Sequence, residues 1–175
     1  MPWDRDEPHP LLEEWVDTGH LDGDGRRAVV VGCGLGADAE YLARRGFATT
    51  GFDIAPTAVR LAQDRHPGTR VDYRVEDLLD LPQHWDGAFD LVVEIFTLQA
   101  LPDPPRTAAI GAVSRLVAPG GSLLAVAFRP VEGEPEPSGP PYPLSRQVME
   151  SLAGDRLTLV GAEEHGDRWR VELRR

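Results

Sequence analysis

The sequence predicts an α/β fold, in which a doubly wound, mostly parallel seven-stranded sheet ends in a C-terminal antiparallel hairpin. Short apolar segments rich in Val, Ile and Phe alternate with segments of helical periodicity. The connections between them are short and contain Gly or Pro. The last two apolar segments flank a polar turn, as the strands of a hairpin do. Such alternation is typical of a parallel sheet with helices on both faces.

The first half of the chain is predicted to contain three strands and two helices. The strands lie at 28–31, 48–53 and 71–75, and the helices at 37–45 and 56–66. Gly46 is a natural stop for the first helix, and Pro56 suits the first position of the second. The run of β-branched residues in the first strand indicates that both of its faces are buried.

The second half is predicted to complete the sheet. A central strand at 89–95 precedes a helix at 104–117, which Asp103 caps and Pro104 opens. A Pro-Gly-Gly turn then leads into a strand at 122–128, and Ser145 caps a short helix. The hairpin strands are predicted at 157–162 and 169–173, joined by the polar turn EEHGDR.

Length and composition indicate one domain over residues 1–175. The formal net charge is −11, all 18 basic residues are Arg, and no apolar run is long enough to cross a bilayer. These features argue against nucleic-acid and membrane partners. The single cysteine, Cys33, excludes an internal disulfide and suits a cytoplasmic location. The histidines have no metal-ligand spacing, so no metal site is expected.

A glycine-rich segment, Gly32-Cys33-Gly34-Leu35-Gly36, joins the first strand to the first helix. Glycines at such a junction let a ligand approach the backbone, and the helix start offers free N–H groups. The spacing fits both NAD and S-adenosylmethionine, and a tight turn without a ligand is the alternative.

Acidic residues follow the next two strands at the same predicted edge of the sheet. Asp53 ends the second strand, where a carboxylate accepts hydrogen bonds from ribose hydroxyls. Asp77 follows the third strand, where a carboxylate could accept a hydrogen bond from an adenine amino group. Because open α/β sheets bind ligands at this edge, the three features together favour an adenosine-containing cofactor.

At this point the chain resembles the class I S-adenosylmethionine-dependent methyltransferases, which have a Rossmann-like fold. The resemblance rests on the segments VVVGCGLGADAEYLARRGF, TGFDIAPTAV, VEDLLDLP, FDLVVE and RLVAPGGSLLAV. Within that class it is closest to the thiopurine and halide/thiol methyltransferase branch. The shared elements are Pro2-Trp3-Asp4, the Gly-Cys-Gly loop, Glu94 through Pro102, and Gly139-Pro140-Pro141-Tyr142-Pro143.

The resemblance implies S-adenosylmethionine as cofactor and assigns residues to its site. Asp53 would hold the ribose, Asp77 and Leu78 would flank the adenine, and Trp3 would cover the cofactor. The implied cofactor-binding set is Trp3, Gly32, Cys33, Gly34, Gly36, Asp53, Ile54, Asp77, Leu78, Glu94 and Ile95. His9 and Tyr142 are candidates for contact with the substrate, each with a packing role as the alternative.

Two segments are expected to close the site. They are the N-terminal cover, residues 1–20, and the Pro-rich loop, residues 129–143, which holds six of the 16 prolines between 130 and 143. Neither the stretch from Pro2 to Leu12 nor the Pro-rich loop shows apolar periodicity, so we expect a ligand to order both.

The predicted function is methyl transfer to a small-molecule acceptor, in particular a thiol or another soft nucleophile. Such an acceptor ionises readily, so no catalytic residue is assigned; Glu94 and Asp4 are the candidates if a general base is needed. The alternatives are an O- or N-methyltransferase of a secondary metabolite and a non-catalytic cofactor-binding protein. The chain is expected to be a monomer or a homodimer.

Overall fold

A computed structural model describes residues 5–19, 21–133, 135 and 137–175. Its strands are β1 (Arg27–Val31), β2 (Ala48–Asp53), β3 (Asp72–Val75), β4 (Phe89–Ile95), β5 (Val117–Phe128), β6 (Thr158–His165) and β7 (Arg168–Arg174). Its helices are α1 (Pro10–Thr18), α2 (Ala37–Arg44), α3 (Pro56–Arg65), α4 (Pro105–Arg115) and α5 (Arg146–Glu150). No helix in the described part of the chain is long and apolar enough to span a bilayer.

The seven strands form one sheet in the order β3-β2-β1-β4-β5-β7-β6. Strands β1 to β5 pair in parallel, and β7 joins β5 antiparallel, with β6 at the edge as its hairpin partner. The predicted fold class is confirmed. The order reverses between β1 and β4, and open sheets of this kind bind ligands at such a reversal.

Two hydrophobic layers cover the sheet, because successive residues of its strands face opposite sides. The first layer contains Val29 and Val31 and packs with α4 and α5. The second layer contains Ala28 and Val30 and packs with α1, α2 and α3. The carboxyl ends of β1 to β5 are therefore held rigidly between the two helical layers.

Helix α1 was not predicted, and it corrects the expectation that the N-terminal segment lacks the apolar periodicity to hold it in place. Leu12 and Val16 are completely buried in the second layer. Their separation of four residues places them on one helix face. The imidazole of His9 caps α1 by accepting a hydrogen bond from the Leu11 N–H at 3.1 Å. Residues 10–18 are thus a packed helix.

Three predicted boundaries were wrong. The N-cap of α4 is Pro104, because the Asp103 carboxylate instead accepts a hydrogen bond from the Thr107 hydroxyl at 2.9 Å. Strand β5 starts at Val117, since the Pro-Gly-Gly segment forms an irregularity within the ladder to β4. The hairpin strands extend into the polar segment, where Glu163 lies opposite Arg170 and pairs with it.

Candidate active site

The candidate site lies where the loops after β1 and β4 meet at the reversal of strand order. The Thr97 hydroxyl, in the turn after β4, donates a hydrogen bond to the Val31 carbonyl at the end of β1, at 3.0 Å. This contact fixes the glycine-rich loop against the turn 95–98. Thr97 was not singled out from the sequence, because nothing in its neighbourhood indicates a partner 66 residues away.

The glycine-rich loop needs its glycines for internal packing as well as for backbone conformation. Gly32, Gly34 and Gly36 all have positive φ, of 60°, 51° and 92°. A Cβ at Gly32 would lie 2.9 Å from the Thr97 Cγ2 and closer still to its hydroxyl oxygen. A Cβ at Gly36 would collide with the Tyr73 hydroxyl. A side chain at either position would therefore have to displace Thr97 or Tyr73.

Asp53 links this loop to the start of α3. Its Oδ2 accepts a hydrogen bond from the Gly34 N–H at 3.1 Å, and its Oδ1 accepts one from the Ala55 N–H at 2.9 Å. Each carboxylate oxygen can accept more than one hydrogen bond, so Asp53 still has acceptor capacity for a ligand. The structure places Asp53 at the end of β2, beside the glycine-rich loop, where the sequence predicts it.

Exposed apolar side chains surround Asp53 at the carboxyl edge of β2 and β3. Ile54 is 66 % exposed, and Val75, the register partner of Asp53 on β3, is 48 % exposed. Asp77 is also exposed, and its Oδ1 accepts a hydrogen bond from the Leu79 N–H at 2.8 Å. Leu78 points away from this surface, because its side chain packs in the first hydrophobic layer.

Cys33 is a buried packing residue of the second layer, in contact with Gly51. Burial and the nearby Asp53 carboxylate raise the pKa of its thiol to about 12. The thiol is therefore protonated at neutral pH, and it lacks the thiolate character of a nucleophile.

Glu94 is completely buried and acts on the turn after β4. Its Oε1 accepts hydrogen bonds from the Thr97 N–H at 2.7 Å and the Leu98 N–H at 2.9 Å. Burial raises the pKa of this carboxyl from its usual 4.5 to about 7, although these two hydrogen bonds lower it. The sequence makes Glu94 a candidate general base. In the structure its carboxyl is buried, and the hydrogen bond that it accepts from the Thr97 N–H holds that residue in position. Ile95 beside it is half-buried against the second layer.

The N-terminal segment docks against the first turn of α2. The Asp38 carboxylate accepts a hydrogen bond from the His9 backbone N–H at 2.7 Å, and its other oxygen lies 3.7 Å from the Arg5 guanidinium. Asp38 was not predicted as a contact of the N-terminal segment. Its position in the first turn of α2, directly after the glycine-rich loop, could have indicated a role near the site. Trp3 and Asp4 lie outside the described residues.

The His9 ring is buried beside Phe96, with the ring centroids 5.3 Å apart in an edge-to-face arrangement. Burial, followed by the charges of Arg5 and Arg168, lowers the pKa of His9 to about 4. The imidazole is therefore neutral at pH 7. Because Nδ1 accepts the Leu11 N–H, the ring proton lies on Nε2.

Phe96 and Phe128 form a parallel stacked pair at the ends of β4 and β5, with centroids 4.9 Å apart and planes inclined by 7°. Phe96 has a φ of 66°, which is uncommon for a bulky residue. The Arg168 guanidinium carbon lies 5.3 Å from the Phe128 centroid and 5.9 Å from the Phe96 centroid. Neither phenylalanine was singled out from the sequence, because Phe128 ends an apolar strand and Phe96 lies in a segment where only Glu94 indicates a role in chemistry.

Tyr142, at the end of the Pro-rich loop, is tied to the turn after β4. Its backbone N–H donates to the Gln99 carbonyl at 2.7 Å, and the Arg106 guanidinium carbon lies 5.4 Å from its ring centroid. Leu144 is completely buried, so the loop is anchored at this end. The described loop residues form no helix or strand, as the proline content predicts.

A doubly wound sheet with a glycine-rich loop after β1 and an acid after β2 defines a class of proteins that hold adenosine-containing ligands. Residues 28–121 match the family described as "Methyltransferase domain". The chain belongs to this family, and its sheet has the fold of class I S-adenosylmethionine-dependent methyltransferases.

Two curated relatives and one solved structure illustrate the similarity. The ubiquinone biosynthesis O-methyltransferase of Xanthomonas euvesicatoria pv. vesicatoria is 39% identical over 130 residues, which cover 69% of this chain and 53% of the relative. The chain thus spans about half the length of that enzyme. The 2-heptyl-1-hydroxyquinolin-4(1H)-one methyltransferase of Mycobacteroides abscessus is 28% identical over 161 residues, covering 90% and 69%. An S-adenosylmethionine-dependent methyltransferase of Methanosarcina mazei has the same fold, with a TM-score of 0.75, 22% identity and coverage of 97% and 98%.

Proposed function

We propose that this chain binds S-adenosylmethionine at the carboxyl edge of β1 to β4 and transfers its methyl group to a small-molecule acceptor. The observation that carries the proposal is the position of Asp53. Its carboxylate joins the glycine-rich loop to α3 and keeps acceptor capacity beside the exposed Ile54 and Val75. A carboxylate next to exposed apolar side chains suits a ribose with an attached base.

In this proposal the residues of the edge contact different parts of the cofactor. Asp53 accepts hydrogen bonds from the ribose hydroxyls, and Ile54 and Asp77 flank the adenine. The loop of Gly32 to Gly36 lies along the methionine part, and Trp3 covers the bound cofactor. Three buried residues pack behind these contacts and support them: Cys33, Leu78 and Glu94.

When bound, S-adenosylmethionine would supply an electrophilic sulfonium methyl group for transfer to a lone pair of the acceptor, with the electron pair of the C–S bond left on sulfur. The work left to the chain is to align the acceptor and to exclude water. An acceptor that arrives as an anion loses no proton in this step.

We propose that the acceptor atom belongs to a thiol or another soft nucleophile, or to a group acidic enough to arrive as an anion. His9 and Glu94 are poorly placed to remove a proton, since Nδ1 of His9 already accepts from Leu11 and Glu94 is enclosed. The resemblance to the thiopurine and halide/thiol branch favours sulfur. The name of the Xanthomonas relative favours oxygen as the second candidate.

Calorimetry and a turnover assay test the proposal in sequence. Titration with S-adenosylmethionine, S-adenosylhomocysteine and NAD⁺ should give binding of the first two alone. Release of S-adenosylhomocysteine is then measured with a panel of thiols, phenols, amines and halides. Binding of NAD⁺ alone would contradict the cofactor assignment. Binding without turnover on any acceptor would favour the non-catalytic alternative.

A further inference from the structure

The ends of β4, β5 and β7 carry a half-buried group of side chains that the cofactor site does not use. We call Phe96, Phe128 and Arg168 the aromatic–arginine wall. Phe128 and Arg168 lie directly opposite each other in the β5–β7 register, so their side chains share one face of the sheet. Phe96 joins them because its N–H donates to the Val126 carbonyl at 3.0 Å, two residues before Phe128 on β5.

The wall borders the turn that contacts the proposed cofactor site. Phe96 lies in the turn that Glu94 fixes, and that turn contacts the glycine-rich loop through Thr97. The unusual positive φ of Phe96 is held by these same contacts. Backbone conformations of this kind persist where the surrounding structure forces them, and they cluster at ligand-contacting positions.

The polar groups at the wall donate hydrogen bonds. Arg168 is a permanent cation: its Nη1 lies 3.4 Å from the exposed Asp167 carboxylate, whereas its Nε is buried and has no hydrogen-bond partner among the described residues. The neutral ring of His9, in contact with Phe96, carries its proton on Nε2 and is therefore also a donor. A set of donors beside a flat apolar surface suits a ligand that is planar and accepts hydrogen bonds through a negative charge.

Building on the methyl transfer proposed above, we propose that Phe96, Phe128 and Arg168 form the acceptor subsite, and that the acceptor is a planar aromatic molecule whose nucleophilic oxygen or sulfur is an anion. The ring lies against the stacked phenylalanines. The anion lies within reach of the Arg168 guanidinium, and its lone pair attacks the methyl carbon as described above. No proton has to be transferred to the protein in that step.

Equilibrium binding to the protein saturated with S-adenosylhomocysteine tests this subsite without requiring turnover. Three probes separate ring from charge at pH 8: 4-nitrophenolate, the uncharged 4-nitrobenzyl alcohol, and cyclohexanecarboxylate, an anion without an aromatic ring. We expect 4-nitrophenolate to bind about tenfold more tightly than the uncharged probe and about fivefold more tightly than the non-aromatic anion.

Substitutions then assign each preference to a side chain. Arg168→Gln should remove the preference for charge, and Phe128→Leu should remove the preference for the aromatic ring. Arg129→Gln is the matched control. It removes the same charge one residue from Phe128, but Arg129 lies over the Trp169 ring, which packs in the layer on the other face of the sheet. The affinity for S-adenosylhomocysteine should be the same in all four proteins, which shows that each variant is folded.

Equal affinity for the three probes, or binding of none of them, would overturn the subsite while leaving the cofactor site intact. The same effect from Arg129→Gln as from Arg168→Gln would overturn the role of Arg168. Failure of the unmodified protein to bind S-adenosylhomocysteine would instead refute the proposed function, and the subsite with it.

Discussion

Thr97 fills the space that a side chain at Gly32 would need. A Cβ on Gly32 would lie 2.9 Å from the Thr97 Cγ2, and the Thr97 hydroxyl already donates to the Val31 carbonyl. The two loops that form the centre of the site are thus complementary in shape. Gly32, which the sequence predicts to be a ligand-binding residue, is therefore also required by its close contact with Thr97.

Replacement of Gly32 by Ala should destabilise the fold by about 2 kcal/mol, through the collision with Thr97 and the strain at positive φ. Urea unfolding measures the loss. Gly68→Ala is the control, because Gly68 has a φ of 76° and a Cβ added there would have no atom within 4 Å. It should lose only about 1 kcal/mol. Adding Thr97→Ala to Gly32→Ala should recover part of the difference. Equal losses at the two glycines would show that the contact with Thr97 is unimportant.

Replacement of Asp53 should weaken binding of S-adenosylmethionine in two steps. Asp53→Asn keeps one acceptor oxygen and should lower the affinity about tenfold, whereas Asp53→Ala should lower it by up to about a hundredfold. Calorimetry measures both. Asp72→Asn is the control, because Asp72 is exposed on the neighbouring strand and pairs with Arg74. Unchanged affinity in Asp53→Ala would refute the role of Asp53 in holding the ribose.

The buried carboxyl of Glu94 should make stability depend on pH. Because folding raises its pKa from 4.5 to about 7, Glu94 favours the folded state most below pH 4.5, and this contribution is lost as the pH rises to 7. The free energy of unfolding of the unmodified protein should therefore fall relative to Glu94→Gln across that range, by at most ~1.4 kcal/mol per pH unit. Urea unfolding of both proteins from about pH 4.5 to 8 checks this. A constant difference would mean that Glu94 does not titrate there.

Helix α1 should be part of the stable core. Leu12→Ala removes a completely buried side chain and should cost about 3 kcal/mol of unfolding free energy. Leu61→Ala on α3 is the control. Leu61 is 45 % exposed, so its loss should cost less than about 1 kcal/mol. If the two substitutions cost the same, α1 is a loosely attached segment, and the sequence-based expectation for residues 2–12 would extend to the helix.

The strands and most helices were predictable because their signals are local. The apolar run of β4 and the proline and glycine at the ends of α3 depend only on neighbouring residues, and the predicted ranges are close to the observed ones. Helix α1 was missed because its two buried residues, Leu12 and Val16, lie in an otherwise acidic and proline-containing segment. The burial of such a helix is decided by the surface on which it packs.

The site was predictable only where a residue type and a strand end coincide. Asp53 has both, so its position was found. The structural role of Glu94 depends on the fold of the turn that follows it. The aromatic–arginine wall joins the turn after β4 to the ends of β5 and β7. Spacing along the chain carries no information about such contacts, because the phenylalanines lie 32 residues apart and Arg168 a further 40.

The backbone pairing of Arg175 with the Gly120-Gly121 segment decides where a fusion partner would lie relative to the ligand edge. Its backbone exchanges hydrogen bonds with Gly120 and Gly121, at 3.0 Å each, near the amino end of β5. The ligand edge is at the other end of that strand, about 20 Å away for a stretch of roughly seven residues. A tag or fluorescent label joined after Arg175 would therefore leave the ligand edge clear. One joined near Arg5, which lies 3.7 Å from Asp38 beside the glycine-rich loop, would be close to the ligand edge.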